Sequence, residues 1–457
     1  MTDSPMTAAQ GFAHSRDEFQ DLVERTLQKA RERGASDAAA EVSEGAGLSV
    51  SARLGKLENV ERNRDKSLGV TVYLGQRRGH ASTSDFSDRA LSDTVQAAYD
   101  IARFTAEDPA AGLPDAEDLL LEPAPDLDLF HPWSVDASAA AEIALRCEAA
   151  ALQTDRRISN SEGAAVSAQQ SHFFAGNSRG FRGGYASSRH SVSVAPIAGR
   201  GAGMQRDAWY SSERRAEDLA APEAIGRYAA ERALSRLKAR RVATAEVPVL
   251  FESTVAAGLL GALVQATSGG ALYRKASFLL DSLGQPVLAS HIDVEEDPLL
   301  PRGKGSSAFD DEGVRTCARK VVQGGVLSGY FLSSYSARKL GMKTTGHAGG
   351  SHNLAMKSRC TAPGDDLPTL IRRLHRGLFV TELMGQGVNY VTGDYSRGAS
   401  GYWVENGEIA FPVQEVTIAG NLREMFQDIV AIGNDRYTLG TKTVGSVLVS
   451  RMKLAGS

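Results

Sequence analysis

The sequence predicts an α+β protein: two α+β segments followed by a strand-rich C-terminal domain built as a barrel or sandwich. Three observations carry this. Helical segments with one apolar face flank runs of alternating apolar and polar residues. Turn residues separate those runs with no helix between them, so hairpins join the strands into an antiparallel sheet. Beyond residue 242, short strand-like segments and hairpin signals dominate. The expected division is an N-terminal α+β domain (1–110), a middle α+β domain (111–241) after a Pro/Asp-rich linker, and the strand-rich domain (242–457). A chain of 457 residues is too long for one compact core, which favours several domains.

The first helix is the clearest element. Ser15 and Glu18 have capping-box spacing, Phe19, Leu22, Val23, Leu27 and Ala30 fall on one face, and Gly34 supplies the stop. Alternating segments follow at Ala46–Leu54, Leu57–Glu61, Leu68–Leu74 and Arg78–Ser84, punctuated by Gly45, Gly55, Asn63–Asp65 and Gly75. A second amphipathic helix starts near Ser87 and uses Leu91, Val95, Ala98, Ile101 and Ala102. Residues 108–131 carry four prolines and several aspartates and read as a linker. A helix from Ser134 to about Gln153 leads into a Gly/Ser-rich strand region, Ile158–Tyr210. Pro222 opens a helix expected to end near Arg241, with the basic stretch Arg227–Arg241 as its wet face.

In the last part, Val247–Phe251 is a buried strand. Val314–Gln323 and Val326–Leu332 flank Gly324–Gly325 as a hairpin. Gly401–Val404, Glu408–Pro412, Glu415–Ala419 and Ser446–Met452 complete an antiparallel body.

Several function classes are excluded or weakened. The net charge of −4 gives no electrostatic footprint for nucleic acid. No apolar run reaches the ~20 residues of a membrane span, and Met1–Ser15 has no signal-peptide apolar region, so a cytoplasmic protein is expected. Cys147, Cys317 and Cys360 are too few and too scattered for a disulfide framework. No phosphate-binding GxxxxGK[ST] and no GxSxG elbow occurs, and the crowded Gly199, Gly201 and Gly203 read as a loop.

Zinc peptidases of the HExxH type set two imidazoles one helical turn apart with a glutamate between them, and none of the nine histidines here is followed by Glu. His347 and His352 are five apart across two glycines, a loop spacing; with Cys360 they are the residual metal candidate. Asp310-Asp311-Glu312 before Gly313 reads as a turn, and Glu295-Glu296-Asp297 as solvated charge.

Five stretches together resemble the TldD/PmbA peptidase family, specifically its PmbA (TldE) branch. They are Asn63–Gly79, Tyr273–Gly284, Phe309–Thr316, Ser334–Gly341 with Thr345–Gly350, and Val380–Gly387 through Gly393–Gly398 to Trp403–Glu408. The resemblance spans roughly residues 20–455. It implies a cytoplasmic metallopeptidase assembled from two related chains, with small or unfolded peptides entering a cleft between them. It also implies that TldD-type subunits hold zinc through an HExxxH helix and a C-terminal cysteine.

In this sequence the segment resembling that helix, Phe251–Gly261, contains Glu252 and no histidine. The segment resembling the cysteine region, Thr441–Leu448, has Val444. The resemblance therefore implies a non-catalytic subunit with no metal or other cofactor of its own, beside a zinc-bearing TldD-type partner in a heterodimer. A peptide-binding or regulatory homodimer without proteolysis is the alternative reading, and an independent hydrolase a third.

For the cleft, an extended peptide adding to a sheet edge points to the run Glu382–Val391. Gly385 and Gly387 would let another backbone approach, and Gln386 and Asn389 offer amides. Glu382, Met384, Tyr395 and Arg397 complete the candidate set. A tight bend inside the core is the competing structural reading of the same glycines, and Met384 also suits core filling.

Overall fold

The computed structural model describes residues 11–456. The chain forms two compact units, one of Met1–Leu234 with Ala308–Arg315, the other of Ser235–Ser307 with Thr316–Ser457.

The first unit runs α1 (Arg16–Glu32), β1 (Asp37–Arg53), β2 (Lys56–Leu74), β3 (Arg77–Thr83), α2 (Asp88–Phe104), α3 (Ala137–Thr154), β4 (Ile158–Asn177), β5 (Arg182–Gly183), β6 (Ala186–Ala198), β7 (Gln205–Arg206), β8 (Trp209–Glu213) and α4 (Pro222–Ser235). The α1 capping box forms as its spacing predicts. Ser15 Oγ accepts from the Glu18 amide and Glu18 Oε2 accepts from the Ser15 amide at 2.6 Å. Phe19, Leu22, Val23, Leu27 and Ala30 are then buried on Val42, Val70, Val72 and Phe174, each large side chain contributing about 1.5–3 kcal/mol of transfer free energy.

One eight-stranded sheet, with path β3-β2-β1-β4-β6-β7, organises this unit. Gly45 and Asn63–Asp65, expected to punctuate the chain, lie inside β1 and β2, where Gly45 pairs with Asp65 and Gly47 with Asn63. Pairing of β1 on both sides, to β2 and β4, overrides those local turn preferences. Residues 108–131 have no strand and one short turn of 3-10 helix, yet they pack down. Leu119, Leu120, Leu127 and Leu129 are buried with Phe181 and Phe309.

The helix from Pro222 stops at Ser235 and not at Arg241. The expected wet basic face is also corrected, because Arg236 is buried and pairs with Glu382, while Arg240 lies over the Phe411 ring. Arg241 pairs with Glu415. Carboxylate and aromatic partners far along the chain draw this stretch out of the helix.

The second unit runs β9 (Ala245–Phe251), α5 (Ser253–Ala266), α6 (Gly269–Tyr273), β10 (Ile292–Asp297), β11 (Arg319–Gln323), β12 (Val326–Leu327), α7 (Ser334–Lys339), β13 (Asn353–Ser358), α8 (Leu367–Leu374), β14 (Gly377–Met384), β15 (Asp394–Glu405), β16 (Glu408–Asn421), α9 (Leu422–Gln427), β17 (Ile429–Ile432), β18 (Tyr437–Leu439), β19 (Lys442–Val444) and β20 (Val447–Ala455). Strands β16-β15-β14-β9-β20 close into a five-stranded barrel through β16–β20 pairing, with β17 attached to β20. The barrel form of the C-terminal prediction is thus the one adopted.

A second sheet has the order β12-β11-β10-β13-β19-β18. Its β11–β12 hairpin turns at Gly324 (φ +58°) and Gly325 (φ +79°), as the Gly-Gly pair predicts, although both strands are shorter than expected. Glu408–Pro412 and Glu415–Ala419 merge into the single strand β16, and Glu415 at φ +56° marks its irregularity. No helix among the described residues is long and apolar enough to cross a membrane.

Candidate functional site

The chain leaves the barrel wall at Phe251 and enters α5 through Glu252. The Glu252 amide donates to the Val380 carbonyl of β14 at 2.9 Å, fixing the helix start beside that strand. The α5 sequence STVAAGLLGALVQA is apolar nearly all round, as a helix packed inside a unit must be. Ala256, Leu260, Leu263 and Ala266 are fully buried, and the helix packs on β14, β18 and β19. Its Val255, Gly258, Leu259 and Ala262, spaced along one face, line a cavity of about 90 Å³ closed by Tyr390, Tyr395 and Arg397.

The structure brings three of the sequence-predicted residues to this cavity: Gln386, Tyr395 and Arg397. Tyr395 is 4% exposed, and among the described residues neither its hydroxyl proton has an acceptor nor Arg397 Nε a partner. Burial pushes the Tyr395 hydroxyl up to about 12, although the nearby Arg397 cation pulls against that shift through its charge and by hydrogen bonding to the hydroxyl oxygen. Arg397 forms no ion pair among the described residues. A buried hydroxyl and a buried N–H therefore stand ready for an acceptor.

The other candidates sit elsewhere in the same hairpin. Glu382 is on β14 and pairs with Arg236. Met384, the last residue of β14, is 44% exposed. Gly385 has φ +76° over open space. Gly387 does permit a close backbone approach, but its own chain makes it. A Cβ there would lie 1.7 Å from the Ser396 carbonyl oxygen, and Ser396 donates its amide to Gly387 at 2.7 Å. Asn389 folds its side chain back onto the amides of Val391 and Thr392 at 3.0 and 3.4 Å. Most of the predicted run is thus a self-bonded loop. Its first part differs, because β9 pairs with β14 only over Leu378–Val380. Beyond that point Glu382, Leu383 and Met384 pair with β15 alone, leaving a three-residue edge above α5. Leu383 and Tyr390 lie within the predicted run Glu382–Val391 without being singled out, and the α5 face was not expected to line a cavity; the i, i+3, i+4, i+7 spacing of Val255, Gly258, Leu259 and Ala262 is the signal that marks it.

The residues at this position do not fit a zinc ion. The α5 face offers no lone pair, and Val444, at the end of β19, is apolar and fully buried. Glu252, the carboxylate of the segment, accepts from Thr254 Oγ1 at 2.6 Å and would be a single ligand.

His347 and His352 meet elsewhere in the second unit, with ring centroids 5.2 Å apart. The expectation of solvated charge fails at Glu296, whose side chain is 1% exposed on the inward face of β10. Glu296 Oε2 accepts from His347 Nε2 at 2.9 Å and Arg319 Nε at 2.8 Å, and Oε1 accepts from the His352 amide at 2.8 Å. Burial alone would raise the Glu296 pKa, but His347 and Arg319 outweigh it and hold it at about 2. Burial lowers that of His347, only partly offset by Glu296. His352 faces the Gly305 and Gly346 carbonyls, Cys360 is exposed, and no group of three or more metal-ligating side chains is arranged for an ion among the described residues. This cluster holds the 343–352 loop against the sheet. Asp310 forms the predicted turn, accepting from the Glu312 and Val314 amides at 2.9 Å each.

Comparison with known proteins gives consistent matches. Family models of the PmbA/TldA metallopeptidase match as domain 1 over residues 38–102, as the central domain over 130–237 and as the C-terminal domain over 244–456. The metalloprotease PmbA of Escherichia coli O157:H7 is 51% identical over 424 residues, 93% of each chain. A crystal structure described as a putative modulator of DNA gyrase, from Bacteroides thetaiotaomicron, superposes with a TM-score of 0.90 at 28% identity, covering 96% of this chain and 99% of that one. TldE from Thermococcus kodakarensis shares the fold, with a TM-score of 0.82 at 19% identity over 95% of this chain and 100% of its own.

Proposed function

Because the chain belongs to the PmbA/TldA metallopeptidase family, we propose that it is the non-catalytic subunit of a two-chain zinc peptidase. A zinc-bearing TldD-type relative supplies the hydrolytic centre. The observation that carries this reading is the α5 face. The segment that the resemblance sets beside the HExxxH helix, Phe251–Gly261, contains no histidine, and α5 turns Val255, Gly258, Leu259 and Ala262 to the cavity, side chains that offer no ligand to a hydrolytic metal.

What this chain contributes is peptide positioning. An extended peptide adds along the Glu382–Met384 edge through backbone hydrogen bonds, which tolerate varied sequence and suit small or unfolded substrates. Tyr395 and Arg397, both with an unpartnered buried donor, take a backbone carbonyl or carboxylate of that peptide. Each such bond to a charged donor contributes roughly 1.5–3 kcal/mol. The three cysteines are unpaired, as suits work in a reducing cytoplasm.

The test mixes this chain with a purified zinc-bearing relative. Peptide hydrolysis should need both chains, stop with a chelator and survive Glu252→Gln in this one. Hydrolysis by this chain alone, with one zinc bound per molecule, would overturn the proposal.

A further inference from the structure

A second cavity, of about 480 Å³, lies wholly within the first unit. Its volume falls in the range of small-ligand sites, roughly 300–1,000 Å³. The sheet register gives its floor. Arg62 pairs with Leu48, Leu48 with Ala168 and Ala168 with His190, so these four residues form one row across β2, β1, β4 and β6. The next row is Arg64, Ala46, Gln170 and Ser188. Strands lie about 4.8 Å apart, so the backbones of Arg62 and His190 stand about 14 Å apart at opposite ends of the row. Between them the small side chains of Ala46 and Ala168 alternate with Leu48 and Gln170 on the cavity floor.

The two ends differ in chemistry. At one end, neither Arg62 nor Arg64 pairs with a carboxylate among the described residues; Arg64 makes only a long 3.5 Å contact to the Gly11 carbonyl. At the other end His190 is 1% exposed. Its Nε2 lies 2.8 Å from the His131 carbonyl and must donate to it, so Nδ1 carries the lone pair. Burial keeps the ring neutral. That Nδ1 has no hydrogen-bond partner among the described residues, an uncompensated acceptor of a kind that folded proteins rarely retain. Trp133 packs edge-on against the same ring at 5.5 Å and adds an apolar wall.

A ligand for this cavity carries an anion at the Arg62 and Arg64 end, an N–H donor at the His190 end and an apolar group beside that donor. Extended peptide advances about 3.3–3.6 Å per residue, so about four residues run the width of the four strands. We infer that the cavity binds the carboxyl-terminal end of a short peptide. The terminal carboxylate sits at Arg62 and Arg64, an amide N–H near its other end donates to His190 Nδ1, and an apolar side chain rests on Trp133. This goes beyond the subunit role and does not depend on it, because every residue belongs to the first unit and binding needs no partner chain.

Calorimetric titration of the full chain with acetyl-Leu-Ala-Ala-Ala, as free acid and as carboxamide, tests it. The acid should bind at least tenfold more tightly than the amide. The double variant Arg62→Ala/Arg64→Ala should abolish that preference while leaving the melting temperature unchanged, since both side chains are exposed and neither forms an ion pair among the described residues. Equal affinity for acid and amide, no binding at millimolar peptide, or tighter binding of inorganic phosphate than of the acid would each overturn the inference.

Discussion

His347 Nε2 lies 2.9 Å from Glu296 Oε2, with both side chains at most 2% exposed. The pair ties a glycine-rich loop to the inward face of β10, and Arg319 completes the charge balance. Removing one member leaves the others buried and uncompensated, the costly direction for such clusters.

Glu296→Gln should therefore destabilise the protein by about 3 kcal/mol. It should do so with little change in helix content, as measured by urea unfolding followed by circular dichroism. A loss under 1 kcal/mol would show that the cluster is not structural.

The same pair sets a pH dependence. The His347 pKa is depressed in the folded state, so its stabilisation is complete above about pH 6.5 and declines as pH falls below that. Glu296, held at about 2 against an ordinary 4.5, loses its contribution as pH falls from about 4.5 toward 2. Melting temperature should fall steadily from pH 7 to pH 4. The slope below pH 4.5 should flatten in Glu296→Gln.

Thiol chemistry should divide the cysteines. Burial, with acidic neighbours adding to it, pushes the Cys147 thiol up to about 12, whereas Cys317 and Cys360 are exposed. A disulfide reagent at pH 8 should titrate two thiols per native chain quickly, and the third only after denaturation.

The two glycines of the β14–β15 loop should behave oppositely to intuition from φ alone. Gly387→Ala forces a Cβ to 1.7 Å from a carbonyl oxygen and should cost more than about 2 kcal/mol. Gly385→Ala meets open space and should cost only the left-handed backbone penalty of about 1 kcal/mol. Melting curves of the two variants decide between these values.

Tyr395→Phe removes a hydroxyl whose neighbour is the Arg397 side chain and whose proton has no acceptor among the described residues, so stability should change by no more than about 1 kcal/mol. In a mixture with a zinc-bearing partner the same substitution should raise KM about tenfold and leave kcat nearly intact, since uniform binding is what is lost. An unchanged KM would remove Tyr395 from the peptide cleft.

Elements encoded within a few residues were legible in the sequence: the Ser15–Glu18 cap, the Phe19–Ala30 stripe and the Gly324–Gly325 turn all form as their spacing requires. Features settled by distant partners were not. Gly45 stays extended because β2 and β4 flank it, Arg236 leaves its helix toward Glu382, and Glu296 points inward to meet His347. The candidate site divides the same way. Tyr395 and Arg397 stood out in the chain, but the helix face opposite them is ordinary apolar sequence until β14 and β15 are placed beside it.

The barrel closes only when β9 meets β20, a pairing in which Phe251 faces Val447. Synthesis must proceed through roughly 200 further residues before that ladder exists, and contacts of such long range form slowly. Until then β9 offers an unpaired apolar edge, so a ribosome-bound chain truncated before Val447 should be a target for chaperones or a seed for aggregation.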